Sequence, residues 1–225
     1  MNQTLVSFDS NGKTYQGYLA KSITDSGPGI ILIQEWWGLV GHITDVADRL
    51  ASEGFTVLAP DFYDGKATTD PDEAGSLMMA LNIEAAEQTL HGAIQFLLDL
   101  DATVGDKVGV MGFCMGGQLA LYAAAVDPLV AACVDFYGIH PNVSPPLENL
   151  HAPVLGIFAE HDAYASPAAV SSLDAVLSKL KKNHQFVTYP GTQHAFFNDQ
   201  RPQVYDPVAS ADAWRRTLEF LRLNL

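Results

Sequence analysis

Six short runs set the limits on what this chain can fold into: "GIILIQ" (29–34), "FTVLAP" (55–60), "KVGVMG" (107–112), "VAACVDFYG" (130–138), "APVLGIFAE" (152–160) and "QFVTYP" (185–190). The first is wholly apolar up to its last residue, the pattern of a strand buried on both faces of a parallel sheet. Between the runs the apolar period changes to that of a helix. Ile43, Val46, Ala47, Leu50 and Ala51 keep helical spacing and stop at Gly54. Asn82 suits an N-cap, with Ile83, Ala86, Leu90, Ile94 and Leu97 as the stripe behind it. Further helices are predicted from Cys114 to about Val126, from about Pro167 to Lys182, and from Val208 to Leu223. Strands that alternate with helices make an α/β fold with a mostly parallel central sheet and crossover helices on both faces. The start differs. "LVSFDSNGKTYQGYLA" reads as an antiparallel hairpin about Asn11-Gly12, a dipeptide that tolerates positive φ.

In sheets of this kind chemistry gathers where strands end. That rule selects Glu35, Asp61, Cys114, Tyr137, Asp162 and His194. The chain has 225 residues, 48% of them hydrophobic, and no repeat or low-complexity linker, so a single domain over 1–225 is expected. Its net charge of −14 argues against nucleic acid and anionic membrane as partners. No secretory signal is read at the amino end, and no apolar run reaches membrane-spanning length. Two cysteines without a CxxC pair exclude a disulfide scaffold and a cysteine-rich zinc site. A reduced, cytoplasmic setting and a monomer or weak dimer are the expectations.

Cys114 is the residue with no bland place. Gly112-Phe113-Cys114-Met115-Gly116 fits G-x-S-x-G with Cys for Ser, the sharp strand-to-helix turn that presents a nucleophile in strained geometry. The following helix aims its amino end at the thiol, a field that favours thiolate. A buried, inert cysteine is the alternative. Cys133, mid-strand in "VAACVDF", has no such turn and reads as core.

A thiol nucleophile needs a base, and the base an orienter. Of the seven histidines, His42 and His91 lie before the nucleophile in helical or pre-helical context. His140, His151 and His184 lie in loops or before strands without a glycine turn, and His161 reads as solvated. His194, in "YPGTQHAFFN", follows a strand in a glycine-containing loop and is the predicted base. In "AEHDAYASP" Asp162 sits at the loop apex and is the predicted acid, whereas Glu160 packs along the strand edge. The order nucleophile, acid, histidine is that of the hydrolase arrangement. Glu35, in "ILIQEWWGL", follows a buried strand beside two tryptophans, and a carboxylate next to a thiol titrates with it as one unit. The alternative is a surface glutamate. Backbone N–H groups of Trp36 and Met115 are the expected oxyanion donors. Trp36, Trp37, Phe113, Tyr137 and Phe196 are expected to line an aromatic substrate pocket, with core packing as the alternative for each.

The pieces "IQEWWGL", "ASEGFTVLAPDFY", "VGVMGFCMGGQLAL", "DFYG", "AEHD" and "GTQHAFFN" resemble the dienelactone hydrolase family of the α/β-hydrolase fold, in that family's order. The resemblance implies a Cys114-His194-Asp162 triad. It implies that Glu35 pairs with the resting thiol and yields it when substrate binds. It also implies hydrolysis of a small-molecule lactone or ester without metal or cofactor. Members acting on dienelactone hold its carboxylate with arginines, one of them four residues after the histidine. That position is Asn198 here, and no arginine occurs between Arg49 and Arg201. A general carboxylesterase or thioesterase is therefore the runner-up activity. A non-catalytic binder of a small apolar ligand is the reading from another class.

Overall fold

The computed structural model describes residues 3–138 and 143–225, so His140 lies outside the described residues. The chain divides into two compact units, Met1–Val110 and Met111–Leu225.

In the first unit, β1 (Gln3–Ser10) and β2 (Lys13–Ala20) pair antiparallel with Ser10 opposite Lys13. The two residues between them, Asn11 (φ 49°) and Gly12 (φ 75°), take the left-handed backbone of a primed turn, whose twist suits a two-residue hairpin. β2 pairs antiparallel with β4 (Thr56–Pro60), and β4 pairs parallel with β3 (Gly27–Ile33). The four central residues Ile30 to Ile33 have no solvent exposure, as their unbroken apolar run requires. α1 (Gly41–Ser52) buries Ile43, Val46, Ala47, Leu50 and Ala51, and Gly54 follows it at φ 95°. α3 (Ile83–Leu98) begins where Asn82 accepts the Ala85 N–H at 2.9 Å.

One helix here escapes sequence reading. α2 (Pro71–Ala80) buries only Ala74, so it has no apolar period to detect. Its start is nonetheless well formed: Pro71 occupies the first turn, and the Asp70 carboxylate accepts the N–H groups of Asp72 and Glu73 at 2.9 and 3.0 Å.

β5 (Thr103–Phe113) carries the chain from the first unit into the second. It starts four residues earlier than its apolar run, because Val104–Lys107 is exposed. The second unit continues with α4 (Met115–Val126), β6 (Val130–Phe136), β7 (Val154–His161), α5 (Pro167–Lys179), β8 (His184–Gln193) and α6 (Pro207–Asn224). β6 pairs parallel with β7, and β7 with β8. α4 is buried nearly all round, as its run of Ala, Leu and Gly dictates. α5 stops at Lys179 rather than Lys182, since Lys181 turns left-handed at φ 56°. β8 extends beyond Pro190 to Gln193, so Gly191 (φ 72°) is part of the strand and not of a loop after it. The class is thus α/β, mostly parallel, with an antiparallel N-terminal hairpin. Among the described residues no helix is long and apolar enough to cross a membrane.

Candidate active site

Three side chains at strand ends of the second unit come together. Cys114 stands between β5 and α4 with φ 54° and ψ −121°, a conformation L-residues seldom adopt outside a constrained turn. Gly112 makes the turn possible, because a methyl group there would run into the Gly116 carbonyl. Backbone bonds fix it: the Cys114 N–H donates to Phe136 O at 2.9 Å, and the Gly117 N–H to Cys114 O at 3.0 Å.

Asp162 follows β7 directly, and its side chain has no exposed surface. Oδ1 accepts the N–H groups of Tyr164 (2.7 Å) and Ala165 (2.9 Å), which satisfies that oxygen and fixes the carboxylate plane. Oδ2 lies 2.7 Å from His194 Nδ1. The other side of the imidazole hydrogen-bonds Cys114. Burial alone lowers the His194 pKa, but the Asp162 and Cys114 hydrogen bonds and their charges outweigh it and push it up to about 10. The His194 ring is held between two tyrosines. Tyr137 lies 5.0 Å away at 60° and Tyr164 4.9 Å away at 54° between ring centroids. Tyr137 (φ 44°) and Ala195 (φ 64°) are left-handed as well, so three non-glycine residues of this one region share that rare backbone.

Glu160 is exposed at the end of β7 and accepts the Gly191 N–H at 2.7 Å, an edge position as its sequence context suggests. His161 is exposed and 3.6 Å from Glu160. His184 opens β8 against Asp174 (3.1 Å) and Lys182 O (2.9 Å). His42 is buried on α1, and His91 and His151 are exposed. Cys133 has no exposure, and burial pushes its thiol well up. Of the expected pocket aromatics in this unit, Phe113 is enclosed by Phe136 (4.7 Å), Phe197 (5.4 Å) and Tyr137 (6.2 Å) and is core. Phe196 packs between Tyr137 (5.8 Å) and Tyr189 (5.3 Å), also fully buried. Both rings lie in the packed interior, although each flanks a functional residue by one or two positions in the chain. Tyr137 touches the histidine.

Two residues of this region are absent from the sequence reading. Tyr164 is 65% exposed although it covers the imidazole. Asp135, fully buried on β6, gives no sequence signal because a carboxylate inside an apolar strand carries no motif. Burial raises it to about 8, against the opposing pull of the Gly138 N–H it accepts at 2.7 Å.

In the first unit Glu35 is 1% exposed, which removes the surface-glutamate alternative. The loop that holds it is locked: Gln34 Oε1 accepts the Phe62 N–H, Glu35 O the Gly38 N–H and Trp37 O the Thr68 N–H. Gly38 is left-handed (φ 94°) and faces Lys66 O where a side chain would sit. Trp36 and Trp37 pack edge to face at 4.9 Å. Asp61 caps its own loop through the amides of Tyr63 and Gly65. Among the positions relevant to a carboxylate clamp, Asn198 is 3% exposed. The Arg201 N–H donates to Asn198 O at 3.0 Å, and its carbonyl accepts Val204 and Tyr205, so the backbone of Arg201 is tied to the Asn198 turn.

The sequence pattern of the Dienelactone hydrolase family matches residues 15–225. The chain belongs to the dienelactone hydrolase family. "Protein usf" of Aquifex pyrophilus is 37% identical over 225 residues, 97% of either chain. A "Putative carboxymethylenebutenolidase" of Aquifex aeolicus (strain VF5) is 34% identical over 228 residues, 98% of either chain. The crystal structure of a "Putative Dienelactone Hydrolase" from Klebsiella pneumoniae superposes with a TM-score of 0.84 at 28% identity, covering 98% of both. As a member of the dienelactone hydrolase family the chain has the α/β-hydrolase fold and is a hydrolase of ester or lactone bonds.

Proposed function

We propose that this dienelactone hydrolase family member cleaves a neutral lactone or ester through an acyl-enzyme on Cys114, with His194 as base and acid and Asp162 as its orienter. The observation that carries the reading is the double hydrogen bond of His194, to Asp162 on one side and Cys114 on the other. With its hold on a proton raised by Asp162 and Cys114, His194 is the group able to take the Cys114 proton as the sulfur attacks.

In this mechanism the sulfur attacks the carbonyl carbon and a C–S bond forms as the C=O electrons move to oxygen. The oxyanion collapses, the C–O bond breaks, and the leaving alkoxide takes a proton from His194. A water then gives its proton to His194 and attacks the thioester. This second oxyanion collapses, the C–S bond breaks, the sulfur takes the proton back from His194, and the carboxylic acid departs, which restores the thiol–imidazole pair. Asp162 keeps Nδ1 occupied throughout, so the second ring nitrogen does the work. Backbone N–H groups of Met115, at the start of α4, and of Trp36 are the proposed oxyanion donors. The role of Glu35, as the group that keeps the resting thiol protonated, is proposed on its Q-E-x-x-G motif. A cytoplasmic, single-domain enzyme acting without metal or cofactor completes the reading.

The test is intact-mass measurement during turnover of a slow aryl ester. The expected result is an acyl adduct on Cys114 that Cys114→Ala abolishes. An adduct on another residue, or turnover in the alanine variant, refutes it. A non-catalytic binder would show neither adduct nor burst.

A further inference from the structure

Asp135 takes no part in the chemistry above, yet it is an acid fully buried one residue before the end of β6. Its surroundings leave it no latitude. Oδ1 accepts the Gly138 N–H at 2.7 Å. A methyl group at Gly117, in the first turn of α4, or at Gly138 would collide with the same carboxyl oxygen. The carboxyl therefore sits wedged between the start of the nucleophile's helix and the segment that leaves β6. Between Asp135 and Gly138 stand Phe136, whose carbonyl holds the Cys114 amide, and Tyr137, whose left-handed backbone (φ 44°) an aromatic residue does not choose unaided. The Asp135–Gly138 bond spans that residue and closes the turn about it. The Tyr137 ring in turn lies 5.0 Å from the imidazole of His194.

We propose that Asp135 is a positioning residue for His194, acting through the Gly138 amide and the left-handed backbone of Tyr137. It rests on the reading of His194 as the working base. An apolar residue at 135 cannot accept the Gly138 N–H and would leave a buried donor unpaired, so Tyr137 would relax toward ordinary φ and withdraw its ring. The imidazole would then have lost one of its two flanking rings, keeping Tyr164 and its bonds to Asp162 and Cys114. Among the described residues the ionisable neighbour whose charge state Asp135 affects is Cys133, which is inert in the core.

The experiment compares Asp135→Ala, Asp135→Asn, Tyr137→Ala and the Asp135→Ala/Tyr137→Ala double variant. Two quantities are read: kcat and KM for 4-nitrophenyl acetate, and the titration of the His194 imidazole followed by NMR without substrate. Asp135→Ala is expected to lower kcat about tenfold to a hundredfold with KM little changed, and to shift the His194 titration upward, because the imidazole loses part of the burial that lowers it and keeps the bonds that raise it. Asp135→Asn, which still offers an oxygen to Gly138, is expected to restore both. Tyr137→Ala should reproduce the loss, and the double variant should be no worse than Tyr137→Ala alone. Wild-type kcat and titration in a folded Asp135→Ala protein overturn the proposal. So does an Asp135→Asn variant as impaired as the alanine, or losses that multiply in the double variant. Should Asp135→Ala fail to fold, an unmoved His194 titration in Tyr137→Ala overturns it equally. The NMR titration needs no substrate, so a wild-type protein inert toward every ester would sink the hydrolase reading and leave this one to be judged on the imidazole.

Discussion

The backbone N–H of Cys114 donates to the carbonyl of Phe136 at 2.9 Å. This one bond ties the left-handed nucleophile turn to the residue just before the left-handed Tyr137. Two strained positions thus share a support, and neither can relax without disturbing the other. Strain of this kind persists only where the surrounding structure over-determines it.

Replacing Cys114 by alanine should end turnover while the protein stays folded. The side chain caps no helix, and the turn is held by main-chain bonds that alanine keeps. Loss of all esterase activity with an unchanged far-UV spectrum is the expected result, and residual turnover near the wild-type rate would contradict it.

Asp162→Asn should cost about 10²–10⁴ in kcat. The amide still accepts from Tyr164 and Ala165 but no longer supplies the charge that helps hold His194 up at about 10. A titration of His194 by NMR should therefore move downward in this variant. An unmoved titration would mean that Asp162 is not what holds the proton.

Stability should fall as pH rises. Asp135 titrates at about 8 in the fold and near 3.8 in an unfolded chain, so its contribution is complete below about pH 3.8 and is lost on the way to about 8. His194, raised from 6.5 to about 10, has the same sign and extends the loss from pH 6.5 to about 10. Urea midpoints at pH 5, 7 and 9 should decline in the wild type and decline less in Asp135→Asn. Parallel curves for the two proteins would show that Asp135 is not an ionisable group held out of water.

Substrates without a carboxylate should be preferred. The position four residues after His194 is Asn198, and no arginine, the bidentate partner of a carboxylate, occurs between Arg49 and Arg201. Comparing kcat/KM for a neutral lactone and a carboxylate-bearing one tests this, and a clear preference for the acid would reverse it.

Asp70→Ala should destabilise α2 by about 1 kcal/mol, because two amides lose their acceptor at the helix start. In a chain of this size that is a fall of about 2–4 °C in Tm. No change in Tm would mean that the helix start contributes nothing to the cooperative fold.

What could be read from the sequence and what could not divide along physical lines. The Cys114 turn was legible because flanking glycines and a change of period coincide there, and His194 and Asp162 because each follows a strand. Buried runs such as Ile30 to Ile33 announce themselves. α2 does not, since a helix with one buried residue has no periodic signal and is held by its cap. The first half of β5 is exposed and reads as loop. Phe113 and Phe196 show the limit from the other side: adjacency in the chain to a functional residue says nothing about which way a ring turns. Asp135 was silent for a different reason, because a lone acid in an apolar strand becomes meaningful only once its partner amide is known.

The pairing of β7 with β8 changes step near its end. Ala159 faces Tyr189, and His161 faces Gln193, so opposite the single residue Glu160 the partner strand carries Pro190, Gly191 and Thr192. Glu160 grips the Gly191 amide and Thr192 Oγ donates to Tyr189 O, which sews the extra length in place. The surplus is two residues, an even number, and strand side chains alternate with a period of two. It is therefore taken up as a bulge: between the two pairs β8 covers the same distance along the sheet as the two steps of β7, and the chain is back in register at Gln193, one residue before His194. An even surplus keeps the imidazole on its own side of the sheet, and deleting a single residue would send it to the other face.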